Sequence, residues 1–123
     1  AKFSNSEEPF LKYWPKDYKL YAWLVIMKSQ GFLRPHIHKE GWLSGSLYLD
    51  VPKTKVQNEG AISFGLHGAD YPDMGRTFED HPVQVKEGLI CMFPSSLFHK
   101  TVPFESPQNR ISLAFDVIPT REV

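Results

Sequence analysis

The chain contains a single cysteine, Cys91, so no disulfide can form within it. Cys91 lies in the apolar run 89–93, and that setting predicts a buried, inert thiol rather than a nucleophile. A chain of 123 residues suits one domain and is long enough to bury a substantial core. We therefore expect a single domain over residues 1–123.

Long apolar runs and an excess of charge of one sign are also missing. No run approaches the ~18 apolar residues of a transmembrane helix, and no signal peptide is visible. A cytoplasmic location is the resulting expectation. Fourteen basic residues balance fourteen acidic ones, which argues against a nucleic-acid-binding or membrane surface. The expected partners are a small-molecule ligand and a substrate of unknown class, and a homo-oligomer is left open.

Short apolar and aromatic runs separated by turns dominate the chain, and helical periodicity is almost absent. Such a pattern favours an all-β sandwich or barrel. A short N-terminal helix is predicted over 6–13, and the irregular segment 65–82 is predicted to be a lid or binding loop. About eight strands are predicted, over 18–27, 32–38, 43–49, 61–64, 83–86, 89–93, 98–102 and 110–117.

Two histidines stand two positions apart, at His36 and His38, where a strand would point both to the same face. His99 lies on a later predicted strand and can supply a third imidazole. Three nitrogen ligands suit Fe, Zn, Cu or Ni, and the remaining coordination positions stay available for a substrate. The spacing therefore predicts a metal site.

The last predicted strand begins with Arg110 and Ser112 on one face. A guanidinium beside a hydroxyl suits a carboxylate, because both carboxylate oxygens can accept hydrogen bonds. On the strand 43–49, Ser44 and Tyr48 share a polar and aromatic face that is suited to line a pocket. These four residues are the candidates for binding a cosubstrate.

The region from Phe32 to Val117 resembles the 2-oxoglutarate- and iron(II)-dependent oxygenases, particularly the prolyl-4-hydroxylase-like branch and its bacterial and phage members. The motifs that carry the resemblance are, in chain order, His36-Ile37-His38, the segment 42–49, the segment 60–64, the segment 88–95, His99 and Arg110-Ile111-Ser112. The resemblance implies a double-stranded β-helix, which is a jelly-roll or cupin-like barrel.

For function, the resemblance implies an Fe(II)-dependent dioxygenase with 2-oxoglutarate as cosubstrate. His36 and His99 would bind iron, Arg110 would bind the distal carboxylate of 2-oxoglutarate, and Ser112 would assist it. The substrate of the hydroxylation cannot be identified from the sequence. By analogy with the family, a peptide or protein side chain is the first expectation.

One position departs from the usual family motif, in which His-x-Asp or His-x-Glu supplies two histidines and a carboxylate. Here the second position is His38, and three neutral imidazoles would leave the +2 charge of iron for 2-oxoglutarate to neutralise. Glu40 is an alternative carboxylate ligand, although Gly41 indicates a turn there.

Two other classes of protein share parts of this pattern. A cupin-like metal or small-molecule binding protein would have the same fold and a similar arrangement of Gly88, Pro94 and His99. A catalytically inactive interaction domain would keep the core pattern without binding metal. The Arg110-Ile111-Ser112 motif favours the oxygenase over both.

Overall fold

The protein is described here by a computed structural model that covers residues 5–120. The elements in chain order are α1 (Pro9–Lys12), β1 (Tyr18–Met27), β2 (Leu43–Asp50), β3 (Ile62–Gly65), β4 (His81–Val83), β5 (Ile90–Pro94), β6 (Phe98–Thr101) and β7 (Arg110–Pro119). Within residues 5–120, no helix has both the length and the apolar character that crossing a membrane requires.

The strands form two antiparallel sheets. The larger sheet has the order β1-β7-β2-β5, and the smaller has the order β4-β3-β6. From β2 onward the chain passes from the larger sheet to the smaller, back at β5, across again at β6, and returns at β7. This winding is the double-stranded β-helix that the sequence predicted, and it brings β6 and β7 into opposite walls of one barrel.

The strand predicted over 32–38 is not formed, so the described residues contain seven strands rather than eight. The segment makes only an isolated bridge between His36 and His99, closed by two backbone hydrogen bonds of 3.0 and 3.1 Å. Pro35 has no N–H to donate, which interrupts a regular ladder at this point. The Thr101 N–H still donates to the Leu33 carbonyl at 3.2 Å, so the segment lies alongside β6.

Strand β4 also differs from its predicted position at 83–86. It begins at His81 and ends at Val83, and it includes Pro82, which an edge strand tolerates. Val85 lies just beyond the strand and is buried in the core. The irregular loop between β3 and β4 therefore covers residues 66–80.

The core lies between the two sheets. Tyr48, Ile62, Val85 and Phe93 form its buried centre, and Cys91 packs against them from β5. Burial raises the pKa of the Cys91 thiol, with a partial opposing effect from the nearby positive charge of Arg110. The thiol is only half-buried, whereas the sequence predicted a buried one, and its raised pKa agrees with the predicted inert character.

Gly45 of β2 provides a test of the packing between strands. A methyl group at this position would collide with the Phe115 ring on β7 and would lie 2.9 Å from the Cys91 carbonyl oxygen on β5. We expect Gly45→Ala to lower the free energy of unfolding by about 1–3 kcal/mol, because the strands on both sides must shift. Urea denaturation measures the change.

The matched control is Gly65→Ala in β3, where the nearest atom to an added methyl is 3.6 Å away. Its free energy of unfolding should change by less than about 1 kcal/mol, since the smaller unfolded-state entropy of alanine offsets small losses. Equal destabilisation by the two substitutions would contradict the packing described for Gly45.

Candidate metal centre

Three imidazoles meet at one end of the barrel. His36 and His38 come from the segment before β2, and His99 comes from β6. One ring nitrogen from each lies within 4.8 Å of the others. The ring centroids are 4.3 Å apart for His36 and His99, 5.0 Å for His38 and His99, and 5.3 Å for His36 and His38. The predicted histidine cluster is therefore present as a geometric unit.

Each of these histidines uses Nδ1 in a hydrogen bond, which fixes its tautomer. Nδ1–H of His36 donates to the Arg34 carbonyl at 2.6 Å, and Nδ1–H of His99 donates to the Leu97 carbonyl at 3.0 Å. Nδ1–H of His38 donates to the Asp116 carboxylate, at 2.7 and 2.8 Å from its two oxygens. The Nε2 lone pairs remain free, which is the arrangement usual for histidines that bind metal.

Asp116 links this centre to the larger sheet. Its carboxylate accepts a hydrogen bond of 2.6 Å from the Ser44 hydroxyl, which lies 2.7 Å from the Ser95 hydroxyl. All three residues are buried. A carboxylate behind a ligating imidazole orients the ring and makes it a better donor to a metal. The structure thus places a carboxylate behind His38, one of the candidate ligands, rather than among the three candidate ligands themselves.

Burial sets the protonation of His99. It lowers the pKa of this imidazole to about 4, and the hydrogen bond to the Leu97 carbonyl offsets only part of that effect. His99 is therefore neutral at neutral pH, with a lone pair available. Glu40, the alternative carboxylate ligand, lies exposed in the turn before Gly41 and is outside the cluster found in residues 5–120.

A cavity extends from the histidines into the barrel, and Arg110 lies at its inner end. Arg110 is only 3% exposed, its Nε–H donates to the Gly60 carbonyl at 2.9 Å, and no carboxylate within residues 5–120 pairs with it. Burial lowers the pKa of this guanidinium, with Tyr48 opposing the shift, but arginine remains charged at any physiological pH. A buried cation facing a cavity without an anion favours an anionic ligand.

Two other predicted residues share this cavity. The Tyr48 ring lies 5.0 Å from the Arg110 guanidinium carbon, and Ser112 lies beside it on β7. Burial raises the pKa of Tyr48 to about 12, so its hydroxyl is a neutral hydrogen-bond donor. The cavity is lined by sixteen residues, among them His36, His38, His99, Tyr48, Arg110 and Ser112.

Ser44 lies behind His38, next to Asp116. It does not line the cavity, and its hydroxyl is engaged with Asp116 and Ser95. A contact between Ser44 and a cosubstrate stays a prediction, whereas its contact with Asp116 is part of the structure. Sequence reasoning missed Asp116, although the alternation along β7 that selected Arg110 and Ser112 also places Asp116 on the same face.

The fold and this site agree with comparisons to known proteins. Residues 21–116 match the model of the family described as "Putative 2OG-Fe(II) oxygenase", where 2OG denotes 2-oxoglutarate. No curated protein sequence matches the chain. Among solved structures, a prolyl-4-hydroxylase of Pseudomonas putida superposes with a TM-score of 0.64 at 20% identity, over 90% of this chain and 56% of its own.

Two further structures share the fold. An oxidoreductase of the 2OG-Fe(II) oxygenase family from Burkholderia pseudomallei gives a TM-score of 0.62 at 12% identity, over 94% of this chain and 50% of its own. HygX of Streptomyces hygroscopicus, with nickel and 2-oxoglutarate bound, gives 0.56 at 16% identity, over 82% and 58%. The chain thus spans between half and three fifths of these relatives. The family match covers most of the sequence, and the chain belongs to the 2OG-Fe(II) oxygenase family.

Proposed function

We propose that this chain is the catalytic β-barrel of a non-haem Fe(II)- and 2-oxoglutarate-dependent dioxygenase that hydroxylates a C–H bond. The observation that carries the proposal is the shared cavity, which has three imidazoles at one end. At the other end lies the buried Arg110, which pairs with no carboxylate of residues 5–120. In the overall reaction one atom of O₂ enters the C–H bond. The other enters succinate, as 2-oxoglutarate loses its carboxylate as CO₂.

Fe(II) fits the donor set. His36, His38 and His99 each use Nδ1 in a hydrogen bond and leave Nε2 available for a metal, and imidazole is a suitable ligand for iron, zinc, copper and nickel. When bound, the metal would supply the oxygen chemistry, and the protein would fix its ligands and exclude water. Asp116 would offset part of its charge through His38, so His38 rather than Glu40 completes the proposed ligand set.

The 2-oxoglutarate would lie along the cavity. Arg110 would bind the distal carboxylate through N–H groups other than Nε–H, because Nε–H is already held by the Gly60 carbonyl. Ser112 and the neutral Tyr48 hydroxyl would donate further hydrogen bonds. HygX, which shares the fold, is a structure with nickel and 2-oxoglutarate bound. That similarity supports 2-oxoglutarate as the cosubstrate.

The substrate would present its C–H bond at the histidine end of the cavity. A peptide or protein side chain remains the first candidate, and the similarity in fold to a prolyl-4-hydroxylase supports it. A neutral net charge continues to favour partners other than nucleic acid or membranes. A single domain over 1–123, a cytoplasmic location and the oligomeric state remain predictions.

The metal site is tested by substituting its ligands. Each of His36→Ala, His38→Ala and His99→Ala should weaken binding of Fe(II), or of Ni(II) as a substitute, by at least ~10-fold, since each removes one coordinating nitrogen. Isothermal titration under anaerobic conditions measures the affinity. The control is His81→Ala, an exposed histidine in β4. Unchanged affinity in all three site variants would remove the basis of the metal assignment.

Asp116→Asn tests the carboxylate behind His38. It keeps the shape of the side chain and a hydrogen-bond acceptor but removes the negative charge, so metal affinity should fall by about 10- to 100-fold. Asp73→Asn in the exposed loop is the matched control. An affinity for Ni(II) equal to that of the unaltered chain would show that Asp116 acts only in packing.

Arg110→Ala should abolish 2-oxoglutarate binding and leave the metal affinity within about twofold, because removing the partner of a desolvated carboxylate costs roughly 2–5 kcal/mol. Arg110→Lys should also be impaired, since an ammonium lacks the planar fork. The readout is the visible charge-transfer band of the anaerobic Fe(II) protein with 2-oxoglutarate, with Arg76→Ala as control. If the unaltered protein binds metal but shows neither band nor binding heat, a cupin-like binding protein becomes the better description.

A further inference from the structure

The inner face of β1 changes in a regular way along the cavity. Met27 is paired with Arg110 and is 7% exposed, and Val25 is paired with Ser112 and is half-buried. Trp23 is paired with Ala114 and is 40% exposed, and Tyr21 is paired with Asp116 and is 52% exposed. One row of side chains therefore leads from the buried guanidinium, past the histidines, to the surface.

This gradient divides the site into two parts. The inner part, beside Met27 and Val25, belongs to the anionic ligand of Arg110. The outer part is bounded by the exposed Trp23 ring, which lies 5.8 Å from the His38 ring, and Tyr21 follows two residues further out on the same face of β1. The proposed function leaves this outer part without a role. Aromatic faces at the mouth of a cavity are well suited to contact aliphatic C–H groups of a substrate.

Strand β1 is also an edge strand. It pairs with β7 on one side, and no other strand within residues 5–120 pairs with its opposite side. Alternate residues along this ten-residue strand thus direct unpaired backbone N–H and C=O groups away from β7. An extended peptide can pair with such an edge, and backbone hydrogen bonds then supply affinity while alternate side chains supply specificity.

The free edge of β1 and the aromatic side chains on its inner face can contact the same peptide. Side chains of a peptide paired with β1 would alternate between the two faces of the sheet, and every second one would lie on the inner face, next to Tyr21 and Trp23. Neighbouring strands are separated by roughly 5 Å, so such a side chain lies within contact distance of these rings. The cavity is bounded there by β1 and by the segment carrying His36 and His38.

We infer that the substrate is an extended peptide segment that pairs with the free edge of β1 and places an aliphatic side chain against Tyr21 and Trp23, beside the three histidines. This inference rests on the proposed function and specifies its substrate. Tyr21 and Trp23 then determine specificity, and the strand edge fixes the register of the peptide. Hydroxylation of the side chain follows the balance given above, with O₂ and 2-oxoglutarate as co-reactants.

An arrayed set of synthetic decapeptides with central Pro, Leu, Val, Lys, Asp or Asn residues tests this substrate class. The Fe(II)-loaded protein is incubated with 2-oxoglutarate, O₂ and each peptide, and the gain of one oxygen atom is followed by mass spectrometry. We expect hydroxylation of peptides with an aliphatic or prolyl centre in preference to those with charged centres.

Two measurements then test the binding mode. Trp23→Ala should lower kcat/KM for the best peptide by roughly 10-fold or more, whereas Leu24→Ala, its neighbour on the outer face, should leave it within about twofold. N-methylation of single amides along that peptide should impair turnover at every second position, because only alternate N–H groups face the partner strand. This scan uses the unaltered protein and does not depend on the folding of a variant.

The outcomes separate the two proposals. If the charge-transfer band forms and O₂-dependent succinate release occurs, but no peptide in the set is hydroxylated, the peptide inference is wrong and the oxygenase assignment stands. Turnover without a two-residue period in the N-methyl scan would also overturn pairing with β1. If neither band nor succinate appears, the proposed function itself fails, and the peptide inference fails with it.

Discussion

The two backbone hydrogen bonds between His36 and His99 are the contact on which the site depends. They join the segment before β2 to β6, although Pro35 prevents a regular strand from forming there. The next backbone contact, from His38 N–H to the Ser95 carbonyl at 3.0 Å, fixes the second histidine against the turn before β6. Three imidazoles from two distant parts of the chain converge because backbone hydrogen bonds hold the chain at these points. These bonds join protein groups only and do not require a metal.

Hydrogen bonds at Nδ1 fix the orientation of the three imidazole rings. His36 and His99 each bond to the carbonyl two positions earlier in the chain, so the local backbone alone orients both rings. His38 instead requires Asp116, which lies on β7 and is itself held by Ser44. The orientation of His38 therefore depends on the larger sheet, and the other two histidines depend on the smaller one. The candidate metal centre lies where the two sheets meet.

The distribution of charge along the cavity would suit a metal cation at one end and the doubly negative 2-oxoglutarate between that cation and Arg110. The three imidazoles lie at one end with the carboxylate of Asp116 behind His38, and the positive charge of Arg110 is buried at the other end. Burying an unpaired guanidinium costs free energy that folding must supply elsewhere. Such a cost is understandable at a binding site, where the ligand provides the missing partner, and the Tyr48 ring reduces it in the meantime.

Much of this protein follows from the sequence by itself. The predicted strand 18–27 coincides with β1, and the predicted starts of β2 and β7 are correct, because long apolar or alternating runs have few alternatives to a strand. The histidine pair and Arg110-Ile111-Ser112 were recognisable because their spacing is local, and the family follows from the same motifs.

Only the tertiary structure decided the rest. Whether 32–38 pairs as a strand depended on a partner far along the chain and on Pro35, and the limits of β4 depended on its position at a sheet edge. The role of Ser44 was not visible either, since its partner Asp116 is brought opposite it only by the register of β2 on β7. Local sequence sets the preference of each segment for a conformation. Contacts between distant residues are fixed only by the pairing of strands. The hydrogen bonds of Asp116 with His38 and Ser44, which support the histidines from behind, are such contacts.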